Sequence, residues 1–375
     1  MFLKKTVMRR LLAAAAMVAA CAGWGHTAEA SQYISDTLGG AGPSNWAILG
    51  LGGVNVDLTK EILAGPGQTV GNVGVASSGN IAVNSSTPPG IVGSLYLGNT
   101  ATTTGSACAI PPDSCNQVSG GIFTNQDSYL GTTGPAGTLN PALAPGIGTE
   151  ALQAYQVFNS LAVDQTVSGD IKSSMTLSCA SSDSVCVVNV TGDISLGSDD
   201  ILTLLGTKAD QSFILKVAGN IQLNGGDKFK GGQIRLGGTL DTDDAVIISN
   251  KVAGGDTIKS GGSSSDACNA TSYANLGPAL GALLCPTYPS GAGDNTLPNA
   301  FIQGILLAPQ GGINFSPGMV IGEIIGGGTQ IKLNSGSQVL GYVGGPAGVP
   351  APASLLLVVA ALAGMGAVRR GLRLG

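Results

Sequence analysis

The sequence predicts an all-β protein built mainly as an irregular parallel β-helix (solenoid) with one packed α-helix. Sixty of the 375 residues are glycine and only 10% are charged, yet 43% are hydrophobic. Short runs rich in Val, Ile and Leu alternate with Gly, Asn, Asp and Ser, a pattern typical of strands joined by tight turns. A short motif also recurs at spacings of 23 and 27 residues. These spacings correspond to about one coil of a solenoid.

The recurrent motif is Gly-[Asp/Asn]-Ile. It begins at Gly169, Gly192 and Gly219, and a further copy begins upstream at Gly79. In a solenoid coil the glycine turns the corner, the Asp or Asn side chain binds the turn backbone, and alternate apolar residues face inward. One coil cannot bury its apolar side alone, so the coils are expected to stack. An irregular β-sandwich is the alternative that this pattern leaves open.

Residues 1–30 have the organisation of a signal peptide. Basic residues precede an apolar stretch from Leu11 to Ala22, and Ala28 and Ala30 form a small-x-small cleavage site before Ser31. The sequence up to Cys21 also resembles a bacterial lipobox, which would make that cysteine a lipidated N-terminus. We expect cleavage after Ala30, because the C-terminal tail already provides an anchor.

Residues 31–148 are a Gly-, Thr- and Ser-rich β segment with a long loop excursion. The expected strands are Asn45–Leu51, Val73–Ala76, Asn80–Val83 and Ile91–Leu97. Turn residues dominate from Thr102 to Pro145, which indicates a surface excursion rather than a second core.

Residues 149–345 are predicted to form the solenoid domain, beginning with a helix at Thr149–Ala162. Thr149 can cap this helix, and Glu150 suits its positive N-terminal end. Apolar residues recur every third position, at Leu152, Tyr155, Phe158 and Leu161. This stripe indicates packing against a sheet.

The cysteines favour an oxidising compartment. Six remain once the leader is removed, and an even number in an exported chain is typical of disulfides. Their closeness in sequence favours three local bridges, Cys108–Cys115, Cys179–Cys186 and Cys268–Cys285. The runs that flank the second pair, Met175–Leu177 and Val187–Val190, are expected to form a hairpin. No CxxC spacing is present, so no metal site is predicted.

Residues 346–375 combine a proline-containing motif, an apolar run and a basic end, which is typical of a membrane-stop segment with its positive end in the cytoplasm. The motif residues are Val349, Pro350, Ala351 and Pro352. The arrangement resembles the PEP-CTERM sorting signal, although alanine replaces the glutamate of the usual Pro-Glu-Pro. The resemblance implies processing by an exosortase-type enzyme, transient membrane anchoring, and delivery to the outer surface or extracellular matrix of a Gram-negative bacterium. A plain C-terminal transmembrane anchor is the alternative.

A second resemblance covers about residues 165–345. A Gly-x-x-Leu-Ala-Pro strand at Gly304–Pro309, a turn at Ser316–Gly318 and a Gly-Glu-Ile-Ile-Gly-Gly strand at Gly322–Gly327 look like the end of choice-of-anchor A domains. Ice-binding-like adhesive domains have a similar texture of strands and turns, with a lone helix beside the solenoid. Neither resemblance implies a catalytic residue, because the shared motifs are turns and core strands.

Charge and composition restrict the function. Without leader and tail, 10 basic and 21 acidic residues remain, a net charge of about −11, which argues against nucleic acid as a partner.

The only histidine, His26, lies in the leader, so histidine-based nucleophilic catalysis is excluded from the mature chain. The acids considered for hydrolase chemistry or Ca²⁺ ligation are Asp199, Asp200, Asp241, Asp243 and Asp244. Their positions beside strand ends favour turn closure instead.

These observations together predict a non-catalytic protein without a cofactor, with a structural or adhesive role in exopolysaccharide or biofilm. The alternative is an adhesin that binds a glycan, Ca²⁺ or ice. A carbohydrate-active enzyme ranks below both.

Overall fold

The computed structural model describes residues 30–341, apart from gaps at 52–54, 59–61, 64–70, 77–78, 84–90, 105–117, 127–129, 131–145, 181–183, 226–230, 253–254, 262–263, 266–296 and 335–336 and a few single positions. The sorting tail lies outside the described residues, as do the leader before Ala30 and every cysteine except Cys179 and Cys186. None of the helices in the described part of the chain has the length and apolarity that a membrane span requires.

The described part of the chain contains two α-helices, α1 (Ala30–Leu38) and α2 (Ile147–Ser160), with a 3₁₀ helix at Gly39–Ala41. The strands before α2 are β1 (Ile48–Gly50), β2 (Asn55–Leu58), β3 (Ile62–Leu63), β4 (Val73–Val75), β5 (Asn80–Val83), β6 (Leu95–Leu97), β7 (Thr102–Thr104) and β8 (Ile122–Phe123). The strands from α2 to residue 261 are β9 (Gln165–Val167), β10 (Met175–Leu177), β11 (Val185–Val190), β12 (Ile194–Leu196), β13 (Ile201–Gly206), β14 (Ser212–Val217), β15 (Ile221–Asn224), β16 (Gln233–Gly238), β17 (Ala245–Ser249) and β18 (Asp256–Gly261). The remaining strands are β19 (Ser264–Ser265), β20 (Leu297–Pro298), β21 (Phe301–Ala308), β22 (Gly312–Phe315), β23 (Met319–Gly326), β24 (Gln330–Leu333) and β25 (Gln338–Leu340).

Nearly all of these strands pair in parallel and form three faces of a solenoid, which confirms the predicted fold class. Face A has the order β8-β6-β4-β1-β23-β21-β17-β14-β11-β9. Face B follows β10-β13-β16-β21-β23-β25-β3, and face C follows β12-β15-β18-β22-β24-β2-β5-β7. Successive strands such as β11, β12 and β13 lie on faces A, C and B in turn, so one circuit of the three faces is one coil.

The coils do not stack in the order of the sequence. β1 pairs with β23, and β2 pairs with β24, so the strands before α2 continue the stack from the last C-terminal coil. The chain then returns through α2 and begins β9 at the opposite end of face A. Residues 31–148 were predicted to be separate from the solenoid, but the strands of that segment belong to the same sheets.

The interior of face C is a ladder of β-branched side chains. Every member is at most 2% exposed, and the ladder runs through Ile171, Ile194, Ile221, Ile258, Ile313, Ile331, Val56 and Ile81. Each fully buried side chain of this size contributes about 1.5–3 kcal/mol through the hydrophobic effect. The stacking of Ile171, Ile194 and Ile221 confirms that each Gly-[Asp/Asn]-Ile motif opens a new coil.

Hydrogen bonds of the motif acids join neighbouring coils. Asp170 Oδ1 accepts the backbone N–H of Asp193 at 2.9 Å, and Asp193 Oδ1 accepts the N–H of Asn220 at 2.7 Å. A Cβ atom on Gly192 or Gly219 would collide with the carboxylate of the preceding coil. Gly192 and Gly219 are therefore required by the close approach of that carboxylate, in addition to any role in turning the chain.

The corner between faces B and A depends on two other glycines. Gly304 and Gly322 are paired in register and have φ values of +115° and +137°. A Cβ atom on Gly322 would overlap the carbonyl oxygen of Gly304. Because glycine tolerates this backbone, β21 and β23 can each bend and contribute to both faces.

The helices pack on the outer side of face A. The predicted helix 149–162 is observed at Ile147–Ser160, with Gly146 as the N-cap, so Thr149 lies inside the helix and is not its cap. Glu150 Oε2 accepts the backbone N–H of Gly40 at 2.8 Å. Phe158 is fully buried in the apolar cluster between helix and sheet, which confirms the predicted packing.

Helix α1 was not predicted. Its Ile34 and Leu38 are fully buried in the same cluster as α2. The helix is only nine residues long and has neither an acidic first turn nor a basic last turn, so it forms because of tertiary packing rather than intrinsic helical signals.

Cys179 and Cys186 form a disulfide with a Cα–Cα distance of 5.5 Å. The predicted hairpin around them is wrong. β10 pairs in parallel with β13, and β11 pairs in parallel with β14 and β9. The loop that the disulfide closes therefore carries the chain from face B of one coil to face A of the next.

Candidate binding surfaces

Face A is used for internal packing. Its outward-pointing apolar residues are buried with those of the helices, and they include Leu49, Val187, Ile214, Val246, Ile248, Ile305, Leu307 and Ile325. Lys216 also points to this side, where its Nζ donates to the carbonyl oxygens of Asn159 at 3.0 Å and Leu161 at 2.8 Å. Burial lowers the pKa of Lys216. This lysine binds the carboxyl end of α2, where a cation is favourable.

Face C presents a continuous row of mainly polar side chains to solvent. The row alternates with the buried ladder and runs in register through Ser195, Gln222, Lys259, Asn314, Lys332, Asp57 and Ala82. Adjacent strands of a sheet lie about 4.8 Å apart, so these seven positions span about 29 Å. Gln222 and Lys259 are exposed, and Asn314 and Lys332 are half-buried.

Hydrogen bonds hold the centre of this row in place. Asp256 accepts from Asn314 Nδ2 at 3.0 Å through one carboxylate oxygen and from Gln330 Nε2 at 2.8 Å through the other. Gln222 Nε2 donates to Asn224 Oδ1 at 2.7 Å. The buried Oδ1 of Asn314 has no hydrogen-bond partner among the described residues. An acceptor without a partner is thus fixed between the rungs of Lys259 and Lys332.

Face B carries a groove at the end formed by β10, β13 and β16. Its volume is about 490 Å³, and among its lining residues are Ser174, Met175, Thr176, Ile201, Thr203 and Arg235. Thr176 pairs with Thr203, and Thr203 pairs with Arg235, so these three side chains lie on successive rungs.

Arg235 is held by contacts on two sides. Its Nε donates to Gln233 Oε1 at 2.6 Å, and its guanidinium lies 5.5 Å from the ring centroid of Phe301. Within the described ranges no carboxylate forms an ion pair with Arg235. Burial lowers its pKa, but arginine remains charged at neutral pH.

Asp199 and Asp200 lie in a turn, as their positions beside strand ends predicted. Asp200 Oδ2 accepts the N–H of Gly197 at 2.9 Å, and its Oδ1 accepts the N–H of Ser174 at 3.2 Å. Asp199 has a φ of +68°, a left-handed turn conformation that Asp tolerates better than most residues.

The second acidic group is also built into a turn. Asp244 Oδ2 accepts the N–H of Asp241 at 2.8 Å. Burial raises the pKa of Asp244 from 3.8 to about 7, and the nearby Asp243, Asp241 and Asp210 add to the effect. Among the described residues, no group of three or more His, Cys, Asp or Glu side chains has the arrangement of a metal site.

Most residues of the predicted processing sites fall outside the described residues. These are Ala28, the sorting motif Val349, Pro350, Ala351 and Pro352, and the cysteines Cys108, Cys115, Cys268 and Cys285. Ala30 is described and is the first residue of α1. The cleavage sites and the two other disulfides stay predictions.

Comparison with known proteins identifies no family for the chain. No family model and no curated protein match it, so the resemblances to PEP-CTERM and choice-of-anchor A proteins stay predictions. An ice-binding protein from an Arctic yeast (LeIBP) is similar in structure, with 16% identity, a TM-score of 0.44, and coverage of 83% of this chain and 96% of that one. An ice-binding protein from the Antarctic ascomycete Antarctomyces psychrotrophicus has 10% identity, a TM-score of 0.41, and coverage of 82% and 98%. The fold assignment rests on this chain's own strand pairing, and the function of those two proteins is not transferred to it.

Proposed function

We propose that this chain is a non-catalytic, exported adhesive protein that binds extracellular polysaccharide through face C. The observation that carries the proposal is the row from Ser195 to Asp57, in which polar side chains repeat once per coil on a parallel sheet. Such a row can contact an extended polymer at several successive units, whereas a compact ligand would contact only a few rungs.

The chemistry of the row suits a polymer rich in hydroxyl groups. Lys259 and Lys332 donate only, while Gln222 can donate and accept. The bonds of Asp256 to Asn314 and Gln330 fix side chains before binding, which reduces the entropy that binding would cost. Because the row mixes positive, negative and neutral groups, it matches sugar hydroxyls better than it matches a polyanion.

Export is part of the proposal. The leader, the basic tail after its apolar run and the even number of mature cysteines all favour a location outside the cytoplasm. The Cys179–Cys186 disulfide is compatible with that location. The protein would then act in exopolysaccharide or biofilm at the surface of a Gram-negative cell, after processing by an exosortase-type enzyme.

The test compares two double variants with the same change in charge. Lys259→Ala with Lys332→Ala alters face C, while Lys208→Ala with Lys251→Ala alters lysines outside the row. Native gels containing hydroxyethyl cellulose, a neutral soluble polysaccharide, report binding as retarded migration. We expect the face C variant to bind about tenfold more weakly and the control variant to bind like the wild type.

Equal retardation of both variants, or no retardation of the wild type by this polymer or by exopolysaccharide from a producing host, would contradict the proposal. Inhibition of ice recrystallisation by a wild-type protein that binds neither polymer would instead identify ice as the ligand.

A further inference from the structure

The groove on face B combines three kinds of contact in one small volume. Thr176 and Thr203 place hydroxyl groups on two successive rungs, and Arg235 occupies the next. Met175 is 41% exposed and lines the same groove as the half-buried Ile201. Hydroxyl groups, an apolar patch and a cation together match a sugar ring that carries an acidic substituent.

The charge of Arg235 is available to a ligand. A guanidinium has five N–H donors in a planar fork, and among the described residues only Gln233 accepts from it, through Nε. The contact with the Phe301 ring holds the guanidinium without neutralising it. A carboxylate can accept two parallel bonds from such a fork, which gives strong and directional binding.

The neighbouring acid of the groove is already engaged. Both oxygens of Asp200 accept backbone N–H groups, from Ser174 and Gly197. Ser174 Oγ accepts the N–H of Ile201 at 3.0 Å, which leaves its own O–H as a donor. The edge of the groove therefore offers a donor to a ligand, while the local carboxylate is satisfied by the protein.

We infer that this groove binds the carboxylate of a uronic acid residue in an acidic polysaccharide, with Arg235 as the anion-binding group and Thr176 and Thr203 as hydroxyl partners. The inference rests on the proposed function for the polymer class, but it concerns a different face and different residues. It adds a preference for acidic glycans that face C alone does not explain.

The test uses oligogalacturonate and the same oligomer after chemical reduction of its carboxyl groups. Titration calorimetry on the purified protein should show that the acidic oligomer binds at least about tenfold more tightly than the reduced one. Arg235→Gln should remove this difference by weakening the binding of the acidic oligomer about tenfold. Arg235→Lys should lose most of it, because an ammonium cannot replace the planar fork.

A second variant keeps the inference testable if the arginine variants fail to fold. Thr203→Val keeps the size of the side chain and every charge, and we expect about threefold to tenfold weaker binding of the acidic oligomer with an unchanged melting temperature. Equal affinity of the wild type for the two oligomers, or an acidic preference that survives both Arg235→Gln and Thr203→Val, would overturn the inference. The face C double variant should keep the acidic preference, so failure of the groove is distinguishable from failure of face C.

Discussion

Glu323 provides a direct test of how burial between face A and the helices controls stability, because it pairs with Ile305 on the outer side of that face. This residue of β23 is 0% exposed, and neither carboxylate oxygen has a hydrogen-bond partner among the described residues. Burial raises the pKa of Glu323 well above its ordinary value of 4.5. The perturbation is Glu323→Gln, which keeps the shape of the side chain and removes its ionisation.

The direction in which stability changes with pH follows from proton binding. In the folded chain Glu323 keeps its proton at pH values where the unfolded chain has lost it, so the unfolded state binds fewer protons. Stability is therefore full below about pH 4.5 and falls as the pH rises toward the folded-state pKa, by about 1.4 kcal/mol per pH unit. From pH 5.5 to 7.0 this amounts to at most about 2 kcal/mol, which Glu323→Gln should not lose. Asp244 acts in the same direction and remains in both proteins, so it cancels in the comparison.

The assay is urea unfolding followed by tryptophan fluorescence, since Trp46 is buried in the folded state. We expect the free energy of unfolding of Glu323→Gln to rise relative to the wild type by up to about 2 kcal/mol between pH 5.5 and 7.0. Asp36→Asn, at an exposed position, serves as the control and should follow the wild-type profile. Parallel profiles for Glu323→Gln and wild type would refute the assignment of Glu323 as a buried, uncharged carboxyl.

Three further predictions concern the corners and the tail. Gly322→Ala should lower the free energy of unfolding by about 3 kcal/mol or more, because the backbone there is left-handed and a Cβ meets the Gly304 carbonyl. Gly261→Ala, where a Cβ meets nothing within 4 Å, is the control in the same denaturation assay. An equal loss of stability in both variants would contradict the requirement for glycine at position 322. Asp193→Ala should lower the free energy of unfolding by about 1 kcal/mol through loss of the hydrogen bond to the Asn220 N–H. Asp193→Asn keeps an acceptor and should keep most of the stability. Identical melting curves for the two variants would show that this hydrogen bond contributes nothing. Deletion of residues 349–375 should release a folded protein into the culture medium, measured by immunoblotting of cell and medium fractions. An aggregated truncated protein would show that the apolar run belongs to the core.

The solenoid could be predicted from the sequence because its signal is local. The Gly-[Asp/Asn]-Ile motif marks one corner of each coil, and Ile171, Ile194 and Ile221 stack as its spacing indicates. The order of the coils could not be predicted, because the pairing of β1 with β23 joins segments that share no period. Helix α1 was missed because its stability comes from burial of Ile34 and Leu38, which depends on the assembled sheet.

The binding surfaces could not be predicted from the sequence either. The coils differ in length, so the spacing between Lys259, Asn314 and Lys332 shows no regular pattern, and only the strand register brings them into one row. The same holds for Arg235, which lies beside Thr203 because β13 pairs with β16. For the acids Asp200 and Asp244, in contrast, the position beside strand ends correctly favoured turn closure.

Under the proposed function, face C binds polysaccharide without chemically changing it. Lysine acetylation followed by mass spectrometry, with and without the exopolysaccharide of a producing host, measures protection of each lysine, and size-exclusion chromatography of the same samples measures the length of the polymer. We predict that the polysaccharide protects Lys259 and Lys332 severalfold, leaves Lys208 unprotected, and keeps its size distribution. Equal acetylation of all three lysines, or a polymer that becomes shorter, would contradict the claim.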